Sequence, residues 1–148
     1  MTATNHGLFG AVLAVTLHRY PAAAAVLALF SHCLLDALPH FGDDNMSLHS
    51  KKFYKILIFD CALAVVSTLA VAWFWQDRAL LVVVCAFLAA SFDLMWLYFE
   101  YLKRVPRNEL PWYARFHGWI QWSQTPSGAY VELAWFAFLF PLLIITGA

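Results

Sequence analysis

Apolar residues run along this chain in long blocks separated by short polar turns, and block length carries the first information. Five blocks are predicted as helices, at about 4–18, 21–38, 53–75, 79–102 and 130–146. The turn His18-Arg19-Tyr20-Pro21 joins the first two into a hairpin. Both are short against the roughly 20 residues that a bilayer span requires, so part of this pair is expected at the interface or in a thinned bilayer. Gln76-Asp77-Arg78 closes the third block and Lys103-Arg104 the fourth.

The connection before the last block has a pattern of its own. Asn108 or Glu109 can cap a short helix with Pro111 near its start, predicted at about 110–122. Helical spacing puts Trp112, Phe116, Trp119 and Ile120 on one face and His117 with Gln121 on another, the pattern of a helix lying in the membrane interface.

Composition turns these blocks into a class. Of 148 residues, 63% are hydrophobic and only 12% charged, which lies outside soluble usage and predicts a single-domain, all-α integral membrane bundle of about five transmembrane helices. With zero formal net charge and no basic tract, nothing recommends nucleic acid, and none is expected as a partner. Cys33, Cys61 and Cys85 have no CxxC spacing and suggest neither a disulfide framework nor a thiolate metal site. No Lys or Arg precedes the first block, so it is read as part of the mature chain rather than a signal peptide. With five spans, Lys51, Lys52, Lys55, Lys103, Arg104, Arg107 and Arg115 share one side, and only Arg19 and Arg78 lie on the other. This asymmetry predicts a cytoplasmic amino end and an external carboxyl end. So small a bundle is suited to pairing with a second copy.

The ionisable residues then stand out. His32, Asp36 and His40 recur at intervals of four at the end of the second block, and with His6, Asp60 and Asp93 they fall in the same half of the membrane. Asp36, Asp60 and Asp93 together would cost about 8–10 kcal/mol in hydrocarbon. No Lys or Arg inside the spans offsets this, and a bound cation would. Imidazole and carboxylate without thiolate favour zinc, with manganese or iron as alternatives. The expected ligands are therefore His6, His32, Asp36, His40, Asp60 and Asp93, with Pro39 bending the chain to bring His40 inward.

Such a site predicts a hydrolase in which the metal activates water. Asp60 or Asp93 is the candidate base and His117 the candidate acid, while Arg104, Arg107, Gln121 and Glu132 are candidates for binding a lipid or isoprenoid phosphoester. A small ion, proton or metal transporter using the same cluster is the alternative; the apolar outer halves of the spans, such as "LLVVVCAFLAA", favour the enzyme. A third reading treats the cluster as interhelical hydrogen-bonding glue.

The motifs "TNHGLFG" (4–10) and "SHCLLDALPH" (31–40) resemble the bacterial inner-membrane metal-dependent hydrolases. Further polar signatures are Phe59-Asp60, "FDLMW" (92–96), "FHGWIQ" (116–121) and Glu132. That family is distantly similar to the zinc-dependent phospholipase C and single-strand nuclease group, all-helical phosphodiesterases whose metal clusters use an HxxxD pair with a further His. The resemblance implies His32 and Asp36 as ligands, Asp36 as a bridge between ions, and His40 as a further ligand. This chain lacks the amino-terminal Trp ligand of those enzymes. It also has one HxxxD only, since Gln121 stands four residues after His117, so one or two ions are implied.

Overall fold

The computed structural model of the chain describes residues 1–43 and 46–147, without the side chains of Glu100 and Arg107. Its order is α1 (Ala3–Thr16), α2 (Pro21–Asp36), β1 (His40–Phe41), α3 (Lys51–Phe74), α4 (Ala79–Ala90), α5 (Asp93–Trp96), α6 (Trp112–Ile120), β2 (Gln124–Thr125) and α7 (Gly128–Gly147). The fold is all-helical apart from the parallel bridge between β1 and β2, which pairs His40 with Gln124 and Phe41 with Thr125.

α1 is the innermost helix, packed against α2, α3, α4 and α7. Its sequence allows this because small residues line it: Gly7, Gly10, Ala11 and Ala14 are all buried. At Gly10 a Cβ would stand 2.4 Å from the Cys85 carbonyl oxygen, so the approach of α4 depends on the missing side chain. Both ends of α1 are satisfied by charge of the right sign. Asp60 accepts hydrogen bonds from the backbone N–H groups of Ala3 (2.8 Å) and Thr4 (3.1 Å), while Glu132 accepts from the Thr2 N–H at 2.9 Å. At the other end the Arg78 guanidinium donates to the Val15 carbonyl at 3.2 Å. Carboxylates at the N-terminus and a cation at the C-terminus complement the helix dipole.

Two helices are long and apolar enough to cross a membrane, α3 with 24 residues and α7 with 20, and a bent pair supplies a third candidate. At 1.5 Å per residue they reach about 36 and 30 Å, against a hydrocarbon core of about 30 Å. α1 and α2, with 14 and 16 residues, are shorter than such a span. Large apolar side chains point away from the protein on the outer helices, among them Ile58, Val66 and Trp73 of α3 and Tyr130 and Ile145 of α7.

The predicted continuous helix at 79–102 is corrected: it breaks after Ala90, and the segments Gln76–Ala90 and Asp93–Phe99 are bent by 49°. Leu97–Leu102 then continues as a π-helix. At the break, side chains take over backbone carbonyls. The Ser91 hydroxyl donates to Leu88 O at 2.7 Å, and the His32 ring nitrogen Nδ1 donates to Ala89 O at 2.7 Å. Ile120 is also reassigned: Trp112, Phe116 and Trp119 are exposed on α6 as expected, but Ile120 is buried on the same side as His117, three residues away.

Gly10→Val is expected to force α1 from α4 and to lower stability by about 1–3 kcal/mol. Thermal unfolding in detergent measures it; a wild-type transition would contradict the close packing described here.

Candidate metal centre

Four donors from three helices converge at one end of the bundle: His32 and Asp36 of α2, Asp93 at the start of α5, and His117 of α6. One ligand atom from each lies within 4.8 Å of the others. The i, i+4 spacing in α2 aligns His32 Nε2 with Asp36 Oδ2 at 3.1 Å. The break before α5 delivers Asp93, whose Oδ1 is 3.7 Å from His32 Nε2 and 3.8 Å from His117 Nε2. α6 supplies His117, with Nε2 at 3.2 Å from Asp36 Oδ2.

The tautomer of His32 gives this group its chemistry. Because its Nδ1–H donates to Ala89 O, the Nε2 lone pair faces inward, 2.9 Å from His117 Nε2. Two imidazole nitrogens at that distance need a shared proton or a shared cation. A tetrahedral ion with bonds of about 2.0–2.1 Å separates its ligand atoms by about 3.3 Å. The edges given above run from 2.9 to 3.8 Å and bracket that value. Two carboxylates and two imidazoles also match a divalent cation in charge and in donor type. The residues present therefore fit a metal ion.

Asp36 divides its oxygens between the centre and its support. Oδ2 faces His32, His117 and the Gln121 amide, which donates at 3.2 Å. Oδ1 contacts the Met1 α-amino group and His6 Nε2, the latter at 3.0 Å. His6 also stacks on His32, with ring centroids 3.9 Å apart. Its buried Nδ1 has no hydrogen-bond partner among the described residues.

No protein-family model, curated protein or solved structure matches the chain.

Of the residues singled out from sequence, His32, Asp36, Asp93 and His117 are brought together, and His6 lies directly behind them on Asp36. Asp60 and Glu132 stand outside the four-residue group and hold the start of α1. Asp60 also accepts from the Thr4 hydroxyl at 2.6 Å, and Glu132 from the Thr2 hydroxyl at 2.8 Å and the Asn5 amide at 2.6 Å. His40 is outside the group too. α2 ends at Asp36, before Pro39, and the His40 Nδ1–H donates to Leu38 O at 2.7 Å. Burial, aided by the nearby α-amino group, holds the His40 imidazole below its usual pKa range.

The substrate-binding candidates separate in the same way. Gln121 reaches the centre through Asp36 and lines a large cavity beside it. Arg104 is exposed, with a left-handed backbone (φ 54°), and does not line that cavity. The Arg107 side chain falls outside the described residues. Arg115 does line the cavity. Asn5 carried no expectation; its burial beside Glu132 follows from the packing of α1, which the uniform apolar blocks conceal.

Asp36→Asn is expected to cost about 3–5 kcal/mol, because it removes the common partner of buried cationic and imidazole groups. Asp60→Asn, which weakens a helix cap, is expected to cost about 0.5–2 kcal/mol. Denaturant titration of both variants compares them, and the reverse order would contradict this division of roles.

Proposed function

We propose that the chain is a membrane-embedded, metal-dependent hydrolase of phosphoesters with a lipid or isoprenoid tail. The observation that carries this reading is the convergence of His32, Asp36, Asp93 and His117 on one point bordering the large cavity. In this reading the four side chains hold a divalent ion, zinc by preference, and His6 orients Asp36 from behind. When bound, the ion lowers the pKa of water towards neutrality and polarises a phosphoryl oxygen. The chain's own residues do the remaining work. Asp93, partly open to the cavity and at the longest distances within the group, would leave its ligand position to the attacking water, accept that water's proton and return it to the oxygen of the leaving alcohol; Gln121 and Arg115 orient the phosphate; the Ala89 carbonyl keeps the His32 lone pair turned inward.

The same proposal extends to the setting. α1, α2, α3, the bent α4–α5 segment and α7 form a five-helix bundle in a bacterial inner membrane, with α6 lying in the interface. Basic residues gather towards the end that carries the centre, so the site faces the cytoplasmic leaflet and meets lipid headgroups there. The apolar outer halves of the spans, such as "LLVVVCAFLAA", together with the resemblance of the 4–10 and 31–40 motifs to metal-dependent hydrolases, support the hydrolase over a transporter.

Elemental analysis of purified protein is expected to find stoichiometric zinc, manganese or iron, lost in His32→Ala and His117→Ala. A panel of phosphoesters is expected to be hydrolysed by wild type, with activity removed by chelator and restored by the metal. Absence of metal from carefully prepared wild type would overturn the proposal; metal without hydrolysis would move it to transport.

A further inference from the structure

We infer that the cavity beside the centre holds a single long hydrocarbon chain ending in a phosphate, lying in the seam between α3 and α4. This rests on the hydrolase reading and names the shape of its substrate. The cavity has a volume of about 1490 Å³ and two chemically different ends. Asp93, Asp60, Gln121 and Arg115 line one end, and Arg115 is the only Lys or Arg among the described lining residues. The Asp43, Asp60 and Asp93 carboxylates of the lining outweigh that one guanidinium, so a phosphate head is held at this end by Arg115 and Gln121 together with the divalent ion of the hydrolase reading.

From there the cavity runs between two apolar helix faces. On α3 it is bordered by Ala64, Thr68 and Leu69, and on the facing helix by Ala90, Ala86 and Val83. Val83, Ala86 and Ala90 recur once per turn, as do Leu57, Cys61, Ala64 and Thr68 on α3 with Leu69 beside them, so each helix presents one continuous stripe. Between Asp60 and Leu69 the seam is about 14 Å long. Gly7 of α1 forms part of its floor: a Cβ there would lie 3.5 Å from Thr68 Oγ1 and 3.7 Å from Ala86 Cβ, so the glycine leaves depth in the seam. Val65, Leu69 and Phe87 are exposed along the rim, which opens the seam sideways.

This arrangement fits a linear tail better than a compact solute. A polar mouth continues into a long apolar slot with small residues at its base and large ones at its edge. Inside a bilayer the tail gains no hydrophobic free energy by leaving its neighbours, so occupancy depends on packing into the slot. Shape changes should therefore displace it.

The test uses zinc-loaded protein in nanodiscs and two probes with a diazirine at the chain tip, an alkyl phosphate and a polyprenyl phosphate. Photolabel is expected on peptides containing Val83 and Leu69, with the better-labelling probe identifying the kind of tail. Ala64→Trp is expected to abolish labelling at Val83 while bound zinc is unchanged. Leu69→Trp, at an exposed rim position, gives the same readout if the first variant does not fold. Label spread over the outward α3 residues Val66 and Trp73, and unaltered in both variants, would overturn the inference. Metal-dependent hydrolysis of short-chain phosphoesters combined with that spread would sink the tail site alone. Label in the seam without any metal-dependent hydrolysis would keep the tail site and sink the hydrolase.

Discussion

A carboxylate buried in an apolar bundle must be surrounded by donors or cations, and Asp36 organises this structure around that requirement. Its Oδ1 engages the start of the chain and His6, while its Oδ2 meets His32, His117 and Gln121. Satisfying one side chain thus ties α1, α2 and α6 together. Asp93 then adds a second carboxylate on the open side, and the two acids with two imidazoles create a site whose charge and spacing suit a divalent ion.

The same residue type serves different ends according to the backbone it meets. Asp60 and Glu132 are also acids in apolar helices, but the first turn of α1 offers them free N–H groups and nearby hydroxyl and amide donors. They are spent on holding a short helix whose small residues let its neighbours close in. Asp36 and Asp93 meet imidazoles instead. The positioning of α1 therefore supports the centre twice, by presenting His6 to Asp36 and by filling the space between α2, α3, α4 and α7.

Much of this was legible in the sequence because the cost of an ionisable group in an apolar helix does not depend on knowing the fold. The helices at 3–16, 21–36, 51–74 and 128–147 begin and end within a few residues of the apolar blocks. His32, Asp36 and Asp93 were legible for the same reason. Sequence could not separate Asp93 from Asp60, since each follows a Phe in an apolar run. Only the break after Ala90 distinguishes them, and that break depends on the Ser91 hydroxyl and on a ring from another helix. His40 stands outside the group although the chain does leave the helix before Pro39 as expected: the turn after Asp36 directs the His40 ring to the Leu38 carbonyl, a local hydrogen bond that the spacing does not reveal. His117 was singled out in the sequence as a candidate acid; its place beside Asp36 and His32 as a ligand-type group depends on the fold of α6 over α2, a long-range contact.

The central claim is that His32, Asp36, Asp93 and His117 share one cation. X-ray absorption at the zinc edge, on protein loaded with one equivalent of zinc, addresses it directly. The expected spectrum contains an inner shell of nitrogen and oxygen at about 2.0–2.2 Å, with outer-shell scattering from two imidazoles and no sulfur. In His117→Ala one imidazole contribution should disappear while the other remains. A sulfur shell, or imidazole scattering unaffected by His117→Ala, would contradict the claim.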